Sequence, residues 1–340
     1  MTTQPVYSCL RSKLTLDNAM INIIELYALN NIKGIGPKAI LKILDVLKSK
    51  KLNSIQNIDV DILLESGDLN RYKKIIKQEL GIDVFKSHME IADKEIKIIK
   101  DKKIEIIGIN ESRYPSLLRL IKEPPVLLYC IGNIELLNNS KNVAVVGTRN
   151  NTELGARITQ KTVDFLCENE FTIVSGLAKG VDTIAHKQSL THAKGKTIAV
   201  LVDVENIQPK SNAKLAENIV ERGGLLVSEV SPRTPIIPQQ FVKRDRIQSG
   251  MSLAVFAIET DVNGGTRHAV MNANQENRMV YVPDTSKSGY SDINIPQLSG
   301  IRKFIADNTA TPYTKHNYES ILNELENALN KEQIETDVVV

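Results

Sequence analysis

Apolar residues recur along this chain in two rhythms. Up to about residue 98 they fall at helical spacing, over residues 14–29 and again from Ala39 to Leu44. Near Lys102-Lys-Ile-Glu-Ile-Ile-Gly108 the spacing becomes strand-like, which places a domain boundary close to residue 99. From there short apolar runs alternate with helical segments. Strands are expected at residues 143–149, 171–175, 196–203, 224–228, 253–258 and 278–282, with helices behind Thr152 and around 180–191, 211–222, 237–250 and 265–277. Such repeated β-α units with wholly apolar strands imply a parallel sheet covered on both faces; their pattern leaves the strand order open. The helix behind Thr152 should turn Leu154, Ile158, Phe165 and Leu166 inward. After a polar stretch at 286–291, an amphipathic helix near residues 318–329 ends the chain. The expected organisation is a small all-helical domain (1–98), an α/β domain (99–312) and a helical tail (313–340).

Length and composition agree with this division. At 340 residues and 42% hydrophobic, the chain can bury a full core in about two domains. No apolar run approaches the roughly 20 residues that span a bilayer, and the first 11 residues lack the apolar centre of a secretory signal, so a cytoplasmic location is expected. Cys9, Cys130 and Cys167 are widely spaced, which suggests neither disulfides nor zinc, and small buried residues instead. His88, His192 and His316 are scattered, so no metal site is expected. A net charge of +3 is too small to establish a polyanion partner by itself, and the absence of Trp weakens any aromatic stacking platform.

Function must therefore rest on local clusters. Val143-Ala-Val-Val-Gly147-Thr148-Arg149 delivers backbone to a helix start, where unpaired N–H groups attract anions. No Gly-x-Gly-x-x-Gly follows, which argues against a nicotinamide enzyme. A second loop, Ser175-Gly176-Leu-Ala-Lys179-Gly180-Val-Asp182, carries two glycines and a cation, with His186 one helical turn beyond Asp182. The third, Lys243-Arg244-Asp245-Arg246, packs three cations around one acid, either for phosphates or as a plain charged face. A fourth, Glu259 through Gly264-Gly265-Thr266-Arg267-His268, repeats the anion-cradle logic. All four fall at carboxyl ends of expected strands, where open α/β sheets bind ligands. Ser175 and Asp182 with His186 or His268 lack a nucleophile elbow, so no catalytic residue is assigned. In the helical domain, Gly34-Ile-Gly36-Pro37 resembles a helix-hairpin-helix turn; a simple tight turn between packed helices is the alternative.

In order along the chain, Arg113-Tyr-Pro-Ser-Leu-Leu118, Gly147-Thr-Arg149, Ser175-Gly-Leu-Ala-Lys-Gly-Val-Asp182 with Ala185-His186, Gly223-Gly224 through Ser228-Glu229, Phe241-Val-Lys-Arg244-Asp-Arg246-Ile247 and Glu259 resemble the DNA-processing protein A family, also called DprA or Smf. The resemblance spans about residues 105 to 285. It implies an extended Rossmann-like domain that binds single-stranded DNA, dimerises and, in transformable bacteria, loads the recombinase RecA, with no catalysis and no cofactor. From the four strand-end loops and their cations, the residues expected to bind DNA or phosphate are Gly147, Thr148, Arg149, Ser175, Gly176, Lys179, Gly180, Lys243, Arg244, Arg246, Gly264, Gly265, Thr266 and Arg267, supported by Asp182, His186 and Glu259. Two features depart from the family: Asp245 stands where Asn is usual, and Gly264-Gly265-Thr266-Arg267-His268 is more polar than usual. These leave open a DprA-like regulator from a mobile-element or phage-defence system, which would sense a nucleotide or nucleic-acid end and control a partner such as a toxin. They also leave open an enzyme on a phosphorylated nucleoside.

Overall fold

The computed structural model describes residues 21–337 except 57, 66 and 288, with side chains as far as 330. Cys9 and the beginning of the helix expected over 14–29 lie outside the described residues. The chain divides into two compact units, 1–114 with 122–130 and 115–121 with 131–340.

The first unit contains α1 (Ile23–Asn31), α2 (Pro37–Ser49), α3 (Val60–Leu64), α4 (Lys73–Glu79) and α5 (Ile82–Asp101). Asn22 and Glu25 form a reciprocal cap that starts α1. Gly34 turns the chain at φ +96°, and Pro37 opens α2 with a preset φ. Ile35, Ala39, Ile40 and Ile43 are buried beneath the turn. At Asp101 the helix gives way to β1 (Glu105–Gly108), which pairs antiparallel with β2 (Leu127–Gly132) in the register Glu105 to Cys130.

The second unit begins with the short α6 (Ser116–Arg119). Its strands are β3 (Asn142–Val146), β4 (Thr172–Ser175), β5 (Thr197–Leu201), β6 (Leu225–Ser228), β7 (Ala254–Ala257), β8 (Met279–Pro283) and β9 (Thr311–Tyr313). The helices between them are α7 (Glu153–Glu168), α8 (Val181–Ser189), α9 (Ala213–Glu221), α10 (Pro238–Gly250), α11 (Thr266–Gln275) and α12 (Pro296–Ala306), and α13 (Tyr318–Asp337) closes the chain. The strands run parallel in the order β6-β5-β4-β3-β7-β8-β9. The chain thus winds outward from β3 through β6, returns, and winds the other way from β7. The reversal leaves a crevice above the carboxyl ends of β3 and β7, where doubly wound sheets take their ligands.

Both faces of the central strands are buried, as their unbroken apolar runs require; Val143, Ala144 and Val145 are fully enclosed. The inner face of α7 is rotated from the expected one. Gly155, Thr159, Thr162, Val163 and Leu166 are buried, whereas Leu154 and Ile158 are only half-buried. The reason is that Thr159 and Thr162 satisfy their hydroxyls internally, on the Gly155 carbonyl at 2.8 Å and against the Tyr313 hydroxyl at 2.6 Å. The tail helix belongs to this core: Tyr318 stacks on Phe165 with ring centroids 4.2 Å apart, and Ile321, Leu325 and Leu329 join the same cluster. Cys130 and Cys167 are buried free thiols, and burial pushes that of Cys167 up to about 11.

Candidate functional site

Two adjoining cavities lie at the carboxyl ends of the parallel strands. The larger, about 590 Å³, opens over β4 and β5 and is lined by Arg149, Lys179, Asp203, Gln208, Phe241 and Arg244, among others. Its neighbour of about 390 Å³ opens over β3 and β7, where Gly147, Thr148, Asp182, Asp245, Gly264, Gly265, Thr266 and His268 contribute. Arg149, Ala178, Phe241, Val242 and Arg244 line both, so a wall of these side chains separates them. Residues from all four stretches therefore meet here, the third contributing Arg244 and Asp245 from within α10.

The cations around this crevice are not equivalent. Arg149 and Lys179 are exposed on the rim, and neither makes an ion pair among the described residues. Arg244 is buried and reaches inward beneath the second loop, donating from Nη1 to the Val200 carbonyl at 2.8 Å. It can lie there only because residue 176 is glycine: a Cβ at Gly176 would overlap the guanidinium. Arg246, two residues further along α10, points elsewhere. It forks onto Glu229, with Nη1 and Nη2 at 2.7 and 2.6 Å from the two carboxylate oxygens, and lines neither cavity. Lys243 is exposed, 3.7 Å from the same carboxylate.

Acids balance the cations. Asp182 is buried and accepts the Gly176 and Ala178 N–H groups at 3.1 and 3.4 Å, which holds the second loop in shape. Its burial pushes the carboxyl up to about 6 against the pull of Arg244. Asp245 faces Arg244 Nε at 3.3 Å and accepts from Gln248 Nε2 at 2.9 Å; burial lifts it to about 6 as well, opposed by Arg244 and Arg149. Asp203 accepts from the Glu205 N–H and the Asn206 amide, both at 2.8 Å, and so shapes the loop after β5.

Several sequence-nominated residues build the floor rather than the surface. Ser175 is buried, its Oγ donating to the Val145 carbonyl at 2.7 Å. His186 is enclosed; Thr197 Oγ1 donates its one proton to the Ile173 carbonyl, so His186 Nδ1 must donate to Thr197, at 2.7 Å. Burial drives this imidazole down to about 3, with Arg244 adding repulsion, so it is neutral. Gly180 starts α8 at φ +80° and backs onto the Thr148 carbonyl, where a Cβ would come within 2.3 Å.

At the start of α7 the expected anion seat is filled from within. Glu259 accepts the Thr152 N–H at 2.8 Å and the Thr152 hydroxyl at 2.7 Å, and is fully buried. At the start of α11, by contrast, the Gly265 and Thr266 N–H groups make no hydrogen bond among the described residues, and a Cβ added at Gly265 meets nothing within 4 Å. Arg267 is exposed beside them but lines neither cavity.

Sequence reasoning passed over the apolar wall. Phe241 and Val242 sit inside a stretch conspicuous for its charges, yet they face both cavities, and Val242 is 48% exposed. The signal was their spacing from Arg244 on one helix. Gln208 and Pro209, beyond β5, carried no charge to mark them.

Comparison with known proteins converges on one family. Residues 105–326 match DNA recombination-mediator protein A. The chain is 32% identical over 272 residues to DNA processing protein DprA of Streptococcus pneumoniae, covering 79% of this chain and 89% of that protein. With the Bacillus subtilis protein of the same name it shares 32% over 183 residues, 54% of this chain and 61% of the relative, so it spans about three fifths of that protein. The X-ray structure of the Streptococcus pneumoniae protein superposes with a TM-score of 0.69 at 28% identity, covering 88% of this chain and 97% of that one. A structure of Helicobacter pylori DNA processing protein A, described by its single-stranded DNA binding mode, gives 0.57 at 25% identity, with 65% of this chain and 97% of that one covered. With most of its length matched, this chain belongs to the DNA recombination-mediator protein A family.

Proposed function

We propose that this chain binds single-stranded DNA in the crevice above β3, β4 and β5, and acts in DNA recombination. One observation carries the reading: two exposed cations, Arg149 and Lys179, which make no ion pair among the described residues, line a cavity of about 590 Å³ together with the apolar side chains of Phe241 and Val242. Phosphates are drawn to the cations, and a base has an apolar face to lie against. The single-stranded DNA binding mode of the Helicobacter pylori relative supports the same ligand class. As a finer proposal, two copies act together as a homodimer in the cytoplasm and deliver the bound strand to a RecA-type recombinase. No helix among the described residues is long and apolar enough to cross a membrane.

The direct experiment is an equilibrium titration of the purified chain with single-stranded DNA, duplex DNA and free nucleotide across a salt series. Single strands are expected to bind best, with a log–log salt slope of about 0.7 per phosphate neutralised. Preference for duplex, or affinity indifferent to salt, contradicts the reading. A second reading, in which a strand end or nucleotide is sensed on behalf of a partner protein, is favoured by the open N–H groups at Gly265 and Thr266. It predicts tighter binding of a 5′-phosphorylated oligonucleotide than of its unphosphorylated twin.

A further inference from the structure

In doubly wound folds the phosphates of a nucleotide settle on the free N–H groups of the helix that follows the central strand. Here that helix is α7, behind β3, and the carboxylate of Glu259 lies against its start. Glu259 is 0% exposed. One carboxylate oxygen, Oε2, accepts the Thr152 N–H at 2.8 Å; the other accepts the hydroxyls of Thr152 at 2.7 Å and Tyr290 at 2.8 Å. The Thr152 hydroxyl in turn accepts the Gly155 N–H at 2.9 Å, completing the cap. Space for this exists only because residue 155 lacks a side chain: a Cβ at Gly155 would stand 2.3 Å from Oε2. Three separate segments, at 152–155, 259 and 290, are thus shaped around one negative charge placed against a positive helix end.

We propose that Glu259 is a specificity-determining residue, an intramolecular carboxylate that occupies the anion seat of α7 and so refuses the phosphate of a free mono- or dinucleotide. An anionic ligand is left with the neighbouring ground beside Arg149 and Lys179. That destination rests on the single-strand reading; the exclusion itself does not. The fold retains the nucleotide-binding corner of its class, but the chain supplies its own anion there. Charge and bulk both contribute, since a carboxylate repels phosphate and also fills the volume it would need.

The test removes the side chain and returns the missing group from solution. Glu259→Ala deletes CH2–COO−, which acetate reproduces atom for atom. In thermal melts at fixed ionic strength, replacing chloride by acetate should raise the melting temperature of Glu259→Ala by on the order of 2 °C or more. The unaltered chain should not respond, and neither should Glu259→Gln, whose amide keeps the seat filled. In parallel, Glu259→Ala should prefer adenosine monophosphate over adenosine severalfold more strongly than the unaltered chain does, and acetate should compete that gain away. A folded Glu259→Ala indifferent to acetate overturns the proposal, as does a variant that folds neither with acetate nor without it. So does a preference for adenosine monophosphate over adenosine that Glu259→Ala leaves unchanged. Titration with single-stranded DNA, run on the same samples, separates the two readings: its failure rejects DNA binding, while acetate rescue still upholds the role of Glu259.

Discussion

Two helices of this fold begin at adjacent strand ends beside the same crevice, and they spend their N-termini differently. At α7, the Glu259 carboxylate takes the Thr152 N–H and lies against Gly155, although the Glu153 and Leu154 N–H groups make no hydrogen bond among the described residues. At α11, the Gly265 and Thr266 N–H groups face the smaller cavity without a partner among the described residues. The local sequences give little hint of this, since each is an apolar strand followed by polar residues and a helix. What separates them is a carboxylate 107 residues away from Thr152. An anion site is therefore defined as much by what the chain has already placed there as by its glycines and its dipole.

The largest effect should come from breaking the Glu259 corner. Glu259→Ala leaves a buried N–H and two hydroxyls without their acceptor, and a loss of about 3 kcal/mol in unfolding free energy is expected from denaturant melts. A loss below about 1 kcal/mol would mean that water replaces the carboxylate.

On the open side of the comparison, effects should appear in binding and not in stability. Arg149→Ala and Lys179→Ala each remove an exposed cation with no ion pair among the described residues, so melting temperatures should barely move while single-strand affinity falls about tenfold. Arg246→Ala should behave in the opposite way, because its guanidinium is committed to Glu229 at 2.6–2.7 Å. A binding loss for Arg246→Ala as large as for Arg149→Ala would show that the fork opens for the ligand.

Acidity offers a subtler lever. Asp182 and Asp245 are both raised to about 6 by burial, so they are ionised at pH 7.5 and largely protonated at pH 5.5. Lowering the pH removes negative charge beside Arg149 and Arg244, and single-strand affinity should rise severalfold over that interval. The same shifts act on folding with a definite sign: a carboxyl raised in the folded state adds stability at low pH that is lost as pH climbs through about 6. Asp245→Asn should strengthen binding at pH 7.5 by about 1 kcal/mol or less and flatten the pH dependence. Weaker binding by this variant would instead mark Asp245 as the strut that holds Arg244 in place. The smallest change is expected from Arg267→Ala, which lies outside both cavities; its effect should be confined to short 5′-phosphorylated oligonucleotides, and equal losses for long unphosphorylated strands would contradict that.

Much of the architecture was legible because it is written locally. The expected strands at 143–149, 196–203 and 253–258 correspond to β3, β5 and β7, and Thr152 caps α7 by accepting the Gly155 N–H. Helices α8 to α11 lie within a few residues of the expected segments. The strand order was not legible, since pairing between β3 and β7 joins residues more than a hundred positions apart. The three-residue strand β9 was missed because it is too short to display a period, whereas α12 was missed behind a polar stretch although Leu298, Ile301 and Phe304 are buried at helical spacing. The site shows the same division. Composition marks Arg149, Arg244 and Arg246 alike as cations, but only their partners distinguish a free one from one tucked over Gly176 and one held by Glu229. Phe241 was hidden by its charged neighbours, whereas its place on the cavity wall depends on the turn of α10.

The central claim is that unpaired rim cations, rather than the paired ones on α10, hold the strand. It is tested most directly by the salt dependence of single-stranded DNA binding in the unaltered chain and in the double variant Arg149→Ala/Lys179→Ala. The account predicts weaker binding and a log–log slope smaller by about 1.4, from two lost phosphate contacts at about 0.7 each. An unchanged slope and affinity would contradict it and move the interface away from this crevice.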